Sequence, residues 1–498
     1  MRLPALLTVL LAAKGGPTPP DPQKGPGDPG ENILAQVLKM NSDAYGKPAA
    51  QFRKGHVSAR QAPTAKVGKT GFVVQLPSRA PIVTPAVYDG RVYVSGGFHS
   101  REFYAFEAKT GKPVWSIDID DDGPSSPVCE QGVCVFNTES CTVFAVDART
   151  GKQLWSWWLG DPLTSSPTVA GGSVFTSYPS RVAAGGKEPP PEASHVLVAF
   201  DLRTGRVQWQ KWLDSDVMSA PVAAGEFIYV STFGGTLMKL EQKTGNIRYA
   251  LKARATSAPV VEFKKGRESM VFTRRGDAEH GAAQEMIVGT VDNSPQTKFK
   301  SEAKPADYLD EGAQARAEYS SQGKANDAAN GFSGGAPESA KARAALSNIG
   351  KGSVHTMQAH QGSRVLSIPG ADRNVNTMGD EVVATHAETG KKLWSYKLGG
   401  DIKRLGGALG TAPLYAGGAV LVATTTGEIV ALDPQTGKPR KTYPVGGQVR
   451  SQPVVADGWI YVGTEDGRLV AIDTGDKTLT GWPMWGGNAA RTGIPIAR

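Results

Sequence analysis

The chain has 498 residues, of which 40% are hydrophobic, 60 are glycine and 34 are proline. This composition excludes a disordered chain and favours a turn-rich, all-β protein with its own core. The formal net charge is +8, but the Lys and Arg residues are scattered. Because attraction to nucleic acid or lipid headgroups needs clustered charge, we expect a mildly basic, water-exposed surface and no nucleic-acid partner.

The first 13 residues, MRLPALLTVLLAA, have the outline of a short signal peptide. The apolar run is too short to cross a bilayer, and no later segment reaches that length. We therefore expect an exported protein, periplasmic or on the cell surface, without a transmembrane span. The alternative is an ordinary buried N-terminus.

Two further segments precede the main body of the chain. Residues 14–30 are rich in Pro and Gly, which predicts a linker. Residues 31–70 predict an N-terminal extension with a short helix, because one helical face would carry four apolar side chains. That face consists of Ile33, Leu34, Val37 and Leu38. We expect it to dock on the protein's own surface, and a partner-binding helix is the alternative.

An eleven-residue pattern, close to Ala-x-Asp-x-x-Thr-Gly-x-x-x-Trp, recurs along the chain. Four clear copies span residues 105–115, 145–155, 199–209 and 384–394. Asp can bond the turn backbone, Gly supplies a positive φ, and Trp is large enough to pack between neighbouring sheets. We therefore expect structural roles for the repeated glycines and tryptophans, which are Gly111, Gly151, Gly205 and Gly390, and Trp115, Trp155, Trp209 and Trp394.

Each repeat unit contains four short strands within about 40 residues, which is typical of a propeller blade. Eight units begin near Pro85, Pro127, Pro167, Pro221, Pro259, Val354, Pro413 and Pro453. The sequence thus predicts an all-β, eight-bladed β-propeller of four-stranded antiparallel blades over residues 71–487. Residues 71–76 are predicted to complete the last blade and close the ring.

Two segments fall outside this regular pattern. Residues 300–350 are rich in Ala, Glu, Lys, Ser and Gly, which predicts a low-complexity, partly helical insertion between blades. Residues 488–498 are predicted to be a C-terminal tail.

All three cysteines, Cys129, Cys134 and Cys141, lie close together in the sequence. An exported protein could oxidise one pair, and Cys129 and Cys134 could face each other across a hairpin. The alternative is three small buried side chains in one blade.

Charged residues recur in the loops that join one blade to the next. Such loops gather on one face of a propeller, so we expect a charged ring that forms a binding face; the alternative is that exposed loops are simply polar. The candidates are Asp120, Asp121, Asp122, Asp161, Asp214, Asp216, Arg254, Asp401, Lys403, Arg404 and Arg450.

One of these loops also resembles the first half of a calcium loop, through Asp118, Asp120 and Asp122. The acid expected at the twelfth position is replaced by Cys129, so a solvated acidic loop is the favoured interpretation. The seven histidines form no recognised ligand pair, and nucleophile-elbow, phosphate-loop and zinc-protease motifs are missing. The sequence therefore predicts no catalytic residue and no metal beyond this calcium candidate.

The eleven-residue pattern resembles the repeat of the PQQ-like (quinoprotein) β-propeller superfamily, over residues 84–480 apart from the insertion. One branch, the PQQ-dependent alcohol dehydrogenases, carries an adjacent Cys-Cys disulfide, calcium ligands and a catalytic Asp. This sequence has no adjacent cysteines, so the resemblance implies no bound PQQ.

The other branch is the BamB family of non-catalytic scaffolds in outer-membrane β-barrel assembly. The chain departs from it in lacking a lipoprotein cysteine and in carrying the insertion. This resemblance implies a non-enzymatic scaffold for envelope proteins, including outer-membrane assembly machinery. A PQQ-dependent dehydrogenase and a sensor or carbohydrate-binding propeller are the alternatives.

Overall fold

The computed structural model describes most of the chain between residues 31 and 493. The described residues are 31–43, 55–97, 100–138, 142–159, 166–179, 189–217, 220–232, 234–253, 255, 258–264, 267–275, 285–291, 294–300, 365–368, 371–401 and 409–493. The predicted signal peptide, linker and 300–350 insertion lie outside these residues, apart from Lys300.

The chain forms antiparallel four-stranded sheets, numbered here in chain order, as a β-propeller. From the inner to the outer strand, sheet 1 is Ala86–Tyr88, Arg91–Ser95, Glu102–Glu107 and Pro113–Ile119; sheet 2 is Val128–Glu130, Val133–Asn137, Thr142–Asp147 and Gln153–Trp158; sheet 3 is Thr168–Ala170, Ser173–Pro179, His195–Asp201 and Val207–Leu213; and sheet 4 is Val222–Ala224, Phe227–Ser231, Thr236–Glu241 and Ile247–Lys252.

The remaining sheets follow the same order. Sheet 5 is Val260–Lys264, Arg267–Arg275, Glu285–Val291 and Ser294–Lys300; sheet 6 is Val365–Ile368, Arg373–Met378, Glu381–His386 and Lys392–Lys397; sheet 7 is Leu414–Ala416, Ala419–Ala423, Glu428–Leu432 and Pro439–Pro444; and sheet 8 is Val454–Ala456, Trp459–Gly463, Arg468–Asp473 and Gly71–Gln75. The predicted closure is confirmed, because Gly71–Gln75 pairs with Arg468–Asp473.

Seven of these sheets, all except sheet 5, have side chains described on all four strands, and these seven are counted as blades. The structure therefore shows seven blades, one fewer than the eight predicted. In sheet 5 the side chains are described only on parts of the first two strands, and the outer pair is known from its backbone pairing. The first described strand of sheet 6 begins at Val365, and the predicted start near Val354 lies outside the described residues. The prediction had no proline to mark this start.

The repeated tryptophans pack against the next blade and donate hydrogen bonds to it. The indole Nε1 of Trp155 donates to the Leu202 carbonyl at 2.8 Å, and its ring lies against Gly205 at the turn of the next blade. A Cβ at Gly205 would lie 2.6 Å from the ring, so only glycine fits there. The same contact recurs from Trp115 to the Ala148 carbonyl, from Trp209 to Gln242 and from Trp394 to Pro434.

The N-terminal extension runs along the outer edges of the blades. Its helix α1 spans Leu34–Met40 and docks on the protein, as predicted, through buried Val37 and Met40. Leu38, predicted to share the apolar face, is 46% exposed instead, because this two-turn helix is buried along a narrow stripe. Three short strands of the extension, Glu31–Asn32, Val57–Ala59 and Lys66–Gly68, add to sheets 4, 1 and 8. No helix in the described residues is long and apolar enough to span a membrane.

Candidate binding face and central channel

The loops that join each outer strand to the next inner strand share one end of the blades with the loops between second and third strands. This end is called the loop face here, and it carries the predicted charged ring. Asp161, Arg254, Lys403 and Arg404 lie outside the described residues, so this part of the ring stays a prediction. The remaining candidates fall into a structural group and a more exposed group.

Asp121 and Asp214 form hydrogen bonds that join one blade to the next. Asp121 follows sheet 1, and its carboxylate accepts hydroxyl hydrogen bonds from Thr138 and Thr142 of the sheet 2 region. Asp214 follows sheet 3 and accepts from Thr236 of sheet 4 at 2.6 Å. The two carboxylates therefore hold neighbouring blades together at the loop face, a role that the sequence did not reveal.

Asp216 is also structural. It is 7% exposed, and its carboxylate accepts from the Ser177 hydroxyl at 2.5 Å and from the Val217 amide at 2.7 Å. Burial with such donors points to loop support and away from partner contact, because a buried charge needs hydrogen bonds.

Asp120, Asp122 and Asp401 are the more accessible acids of the ring. Asp120 and Asp401 are exposed. Asp122 pairs with the Arg101 guanidinium at 2.6 Å, which raises the pKa of that guanidinium. On the basic side, Arg450 is half-buried 3.9 Å from Glu465, and burial raises the pKa of the Glu465 carboxyl.

The calcium candidate does not have the donor set of a metal site. Asp118 pairs with Arg60 at 2.5 Å and Asp122 with Arg101, so guanidinium groups occupy two of the three carboxylates. The described residues contain no cluster of three or more His, Cys, Asp or Glu able to hold a metal ion.

Cys129 and Cys134 are directly opposite each other on adjacent strands of sheet 2, and their sulfurs are joined in a disulfide. Cys141 lies outside the described residues. The bonded cysteines are not neighbours in sequence, so they do not provide the adjacent Cys-Cys pair implied by resemblance to PQQ-dependent dehydrogenases. In this respect the residues do not fit that cofactor.

The C-terminal segment, residues 481–493, crosses the centre of the ring along the inner strands. The Trp482 and Pro483 carbonyls accept from Val455 and Val87 of sheets 8 and 1. The Ala489 and Ala490 carbonyls accept from the inner strands of sheets 3 and 4. The segment therefore covers the inner side of sheets 8, 1, 3 and 4, although the sequence predicted its end only as a tail. The sequence feature that could have indicated a buried C-terminal segment is the tryptophan-rich and glycine-rich stretch GWPMWGGNAARTG.

Arg491, in this C-terminal segment, is the one described arginine that is fully buried. Its Nε donates to the Pro167 carbonyl at 3.1 Å and its Nη2 to the Ser126 carbonyl at 3.4 Å. Burial lowers the pKa of Arg491 to about 9. These bonds reach the starts of sheets 2 and 3, so Arg491 ties the C-terminus to the inner rim of the ring.

Blades built on this repeat, joined by docked tryptophans, define a β-propeller of the PQQ-like class. A family model described as outer membrane protein assembly factor BamB matches residues 53–187, 142–278 and 333–483. These matches cover more than half of the chain, so the chain belongs to this family. No curated protein matches the sequence.

Solved structures from several classes are similar to this chain. BamB from Moraxella catarrhalis is 16% identical, over 84% of this chain and 97% of that chain, with a TM-score of 0.48. Quinohemoprotein alcohol dehydrogenase from Comamonas testosteroni is 15% identical, over 82% and 77%, with a TM-score of 0.52. Sqt1 from Saccharomyces cerevisiae is 8% identical, over 84% and 99%, with a TM-score of 0.52. At such identities the likeness concerns the fold alone.

Proposed function

We propose that this protein is a non-catalytic scaffold, exported to the cell envelope, that holds protein partners of the outer-membrane assembly machinery. The observation that carries the proposal is membership of the family described as outer membrane protein assembly factor BamB. The mechanism is rigid presentation: the blades hold their loops at fixed positions, so a partner meets a preorganised surface and less binding energy is lost to ordering.

The proposal includes an eight-bladed ring in which sheet 5 is the remaining blade. Two apolar clusters support this arrangement. Val261, Met270 and Phe272 of sheet 5 pack with Tyr229 and other residues of sheet 4. On the other side, a second cluster joins Val260 and Val271 to Val365, Met378 and Val383 of sheet 6.

The position of the C-terminal segment favours recognition by the loop face. Residues 481–493 bond the inner strands of sheets 8, 1, 3 and 4, and the Arg491 side chain is buried there. The chain itself therefore occupies the inner side of these sheets, which leaves the loops for a partner. Among the predicted loop-face acids, Asp120 is exposed and Asp122 is partly exposed, so these two are the side chains we assign to partner contact.

The test compares charge reversals on the two ends of the ring. D120K/D122K should lose capture of envelope proteins by the immobilised full chain, followed by quantitative mass spectrometry. E226K is the matched control, because Glu226 is an exposed acid in the turn between the first two strands of sheet 4, at the opposite end. Equal capture by both variants would contradict the assignment of the loop face.

The rival activities have separate readouts. A visible absorption band after incubation with PQQ and calcium would support a quinoprotein enzyme. Binding of sugars or polymers that is lost in D120K/D122K, without protein capture by the unaltered chain, would support a ligand-binding propeller.

A further inference from the structure

Three segments of this chain add an extra strand to the outer edge of a blade, and two of them, on sheets 1 and 4, follow one geometric pattern. On sheet 1, the Arg60 amide donates to the Ser116 carbonyl, and Ser58 lies opposite Asp118. On sheet 4, the Ile33 amide donates to the Ala250 carbonyl, and Glu31 lies opposite Lys252. The outer strand of a blade can therefore pair with an added extended segment.

In two of these additions the incoming segment carries a charge opposite to that of the edge. Asp118 and Lys252 occupy equivalent positions, each three residues after the docked aromatic residue of its strand, Trp115 or Tyr249. Arg60 bonds Asp118 at 2.5 Å, and acidic Glu31 is the residue paired with Lys252. The sign of the charge at this position thus matches the chemistry of the segment that binds there.

Sheet 6 presents the same edge without an added strand in the described residues. Its outer strand, Lys392–Lys397, has Trp394 at the docked position and Lys397 three residues later. The Leu398 amide bonds the Asp380 carbonyl on the inner side. Because inward and outward pairs alternate along an antiparallel ladder, Ser395 and Lys397 direct their backbone groups toward the open side. They correspond to Ser116 and Asp118 of sheet 1.

The neighbouring sheet 7 is protected where sheet 6 is not. Its outer strand, Pro439–Pro444, begins and ends with proline, which has no N–H to offer. The strand Lys392–Lys397 contains no proline, and its Leu393 is 40% exposed. Edge strands with free amides and an exposed apolar side chain are templates for strand addition.

We propose that the outer edge of sheet 6 is a docking site for an extended acidic segment of a partner protein, which adds as a fifth strand. The segment places a carboxylate opposite Lys397, as Glu31 is placed opposite Lys252, and an apolar residue beside Leu393. Lys397 now pairs with Asp380, but its side chain is 73% exposed, so exchanging that carboxylate for another costs little. This site lies on the rim of the ring and does not depend on the proposed loop-face function.

The test measures binding of a labelled peptide with the sequence of residues 29–35, PGENILA, to the full-length protein. S395P should weaken binding at least about tenfold, because it removes an outward amide without breaking a bond inside the blade. S395A keeps the amide and should bind as the unaltered protein does. K397E should weaken binding about fivefold or more, and the peptide carrying Lys in place of Glu31 should be weakened similarly.

Two controls separate this edge from the others. K252E tests whether the peptide merely displaces the protein's own Glu31–Asn32 strand from sheet 4; loss of binding in K252E, with K397E unaffected, would overturn the proposal. Hydrogen exchange of the full-length protein alone should be fast at Ser395 and Lys397, and slow exchange there would mean that the chain already covers its own edge. Unchanged peptide binding in D120K/D122K is expected whether or not the loop face binds partners.

Discussion

Replacing Gly205 by alanine should destabilise the propeller through close contacts with the face of Trp155 and with Nε1 of Trp157, which would lie 2.8 Å from the added Cβ. The added Cβ would lie 2.6 Å and 2.8 Å from two ring carbons, so the indole or the turn must move by about 1 Å. Overpacking of this kind costs about 1–3 kcal/mol. A φ of +67° adds about 1 kcal/mol for any residue with a Cβ. We expect a total loss of about 2–4 kcal/mol in the free energy of unfolding.

Gly172 supplies the matched control within the same blade. Its φ is +77°, and an added Cβ would meet nothing within 4 Å. G172A should therefore lose only the backbone contribution, about 1 kcal/mol. The measurement is the urea dependence of tryptophan fluorescence, with the free energy taken from midpoint and slope. If G205A costs no more than G172A, the packing of tryptophan on the turn is not what excludes a side chain there.

A double-mutant cycle isolates the contact further. W155A alone should cost about 3–5 kcal/mol, as truncation of a buried aromatic side chain usually does. In that background G205A should cost less than in the unaltered protein, because the Trp155 ring is gone and only the contact with Trp157 and the backbone contribution of about 1 kcal/mol remain. The coupling between the two sites should then be about 1–3 kcal/mol. Strict additivity of the two changes would refute the reasoning.

Three other perturbations test separate parts of the structure. N376V should raise the free energy of unfolding by about 1–3 kcal/mol in urea titrations, because both amide atoms of buried Asn376 have no hydrogen-bond partner; no gain, or a loss, would show that the amide is satisfied in solution. R60M should speed proteolytic release of the N-terminal extension, since Arg60 bonds Glu102 at 3.1 Å as well as Asp118; R91M, which alters an exposed turn contact, should not. The pKa of Asp433 is lowered to about 2, chiefly by the Arg440 hydrogen bond, so its contribution to stability is present above about pH 4 and is lost as the pH falls toward 2. In D433N the urea midpoint of unfolding should therefore depend less on pH between 4 and 2. The same fall of the midpoint in D433N and in the unaltered protein would contradict the shift.

The repeat made the blade architecture predictable from local chemistry. Trp, Thr-Gly and the opening proline each have one physical role that recurs in several blades, so their spacing indicates where the strands lie. The inner strands of sheets 1 and 2 begin at Ala86 and Val128, directly after predicted Pro85 and Pro127. Sheet 6 lacks that proline, and its predicted start near Val354 lies outside the described residues.

The roles of the loop-face acids could not be predicted in the same way. Asp120 and Asp121 are neighbours in sequence, yet one is exposed and the other accepts two threonine hydroxyls from the next blade. The difference depends on residues about 20 positions away, brought close only by the ring. The buried C-terminus was missed for the same reason, because its partners lie in the inner strands of four sheets.

Distant contacts also set sheet 6 apart from other blades. At the register positions of Asn374 and Asn376, sheet 1 has Val92 and Val94, and sheet 8 has Ile460 and Val462. Sheet 6 therefore buries two amide side chains where these blades bury apolar ones, and three of the four amide atoms have no hydrogen-bond partner. Since each orphaned buried polar group costs about 1–3 kcal/mol, this strand of sheet 6 should be less stable than the matching strands of sheets 1 and 8, and it should open before them on unfolding.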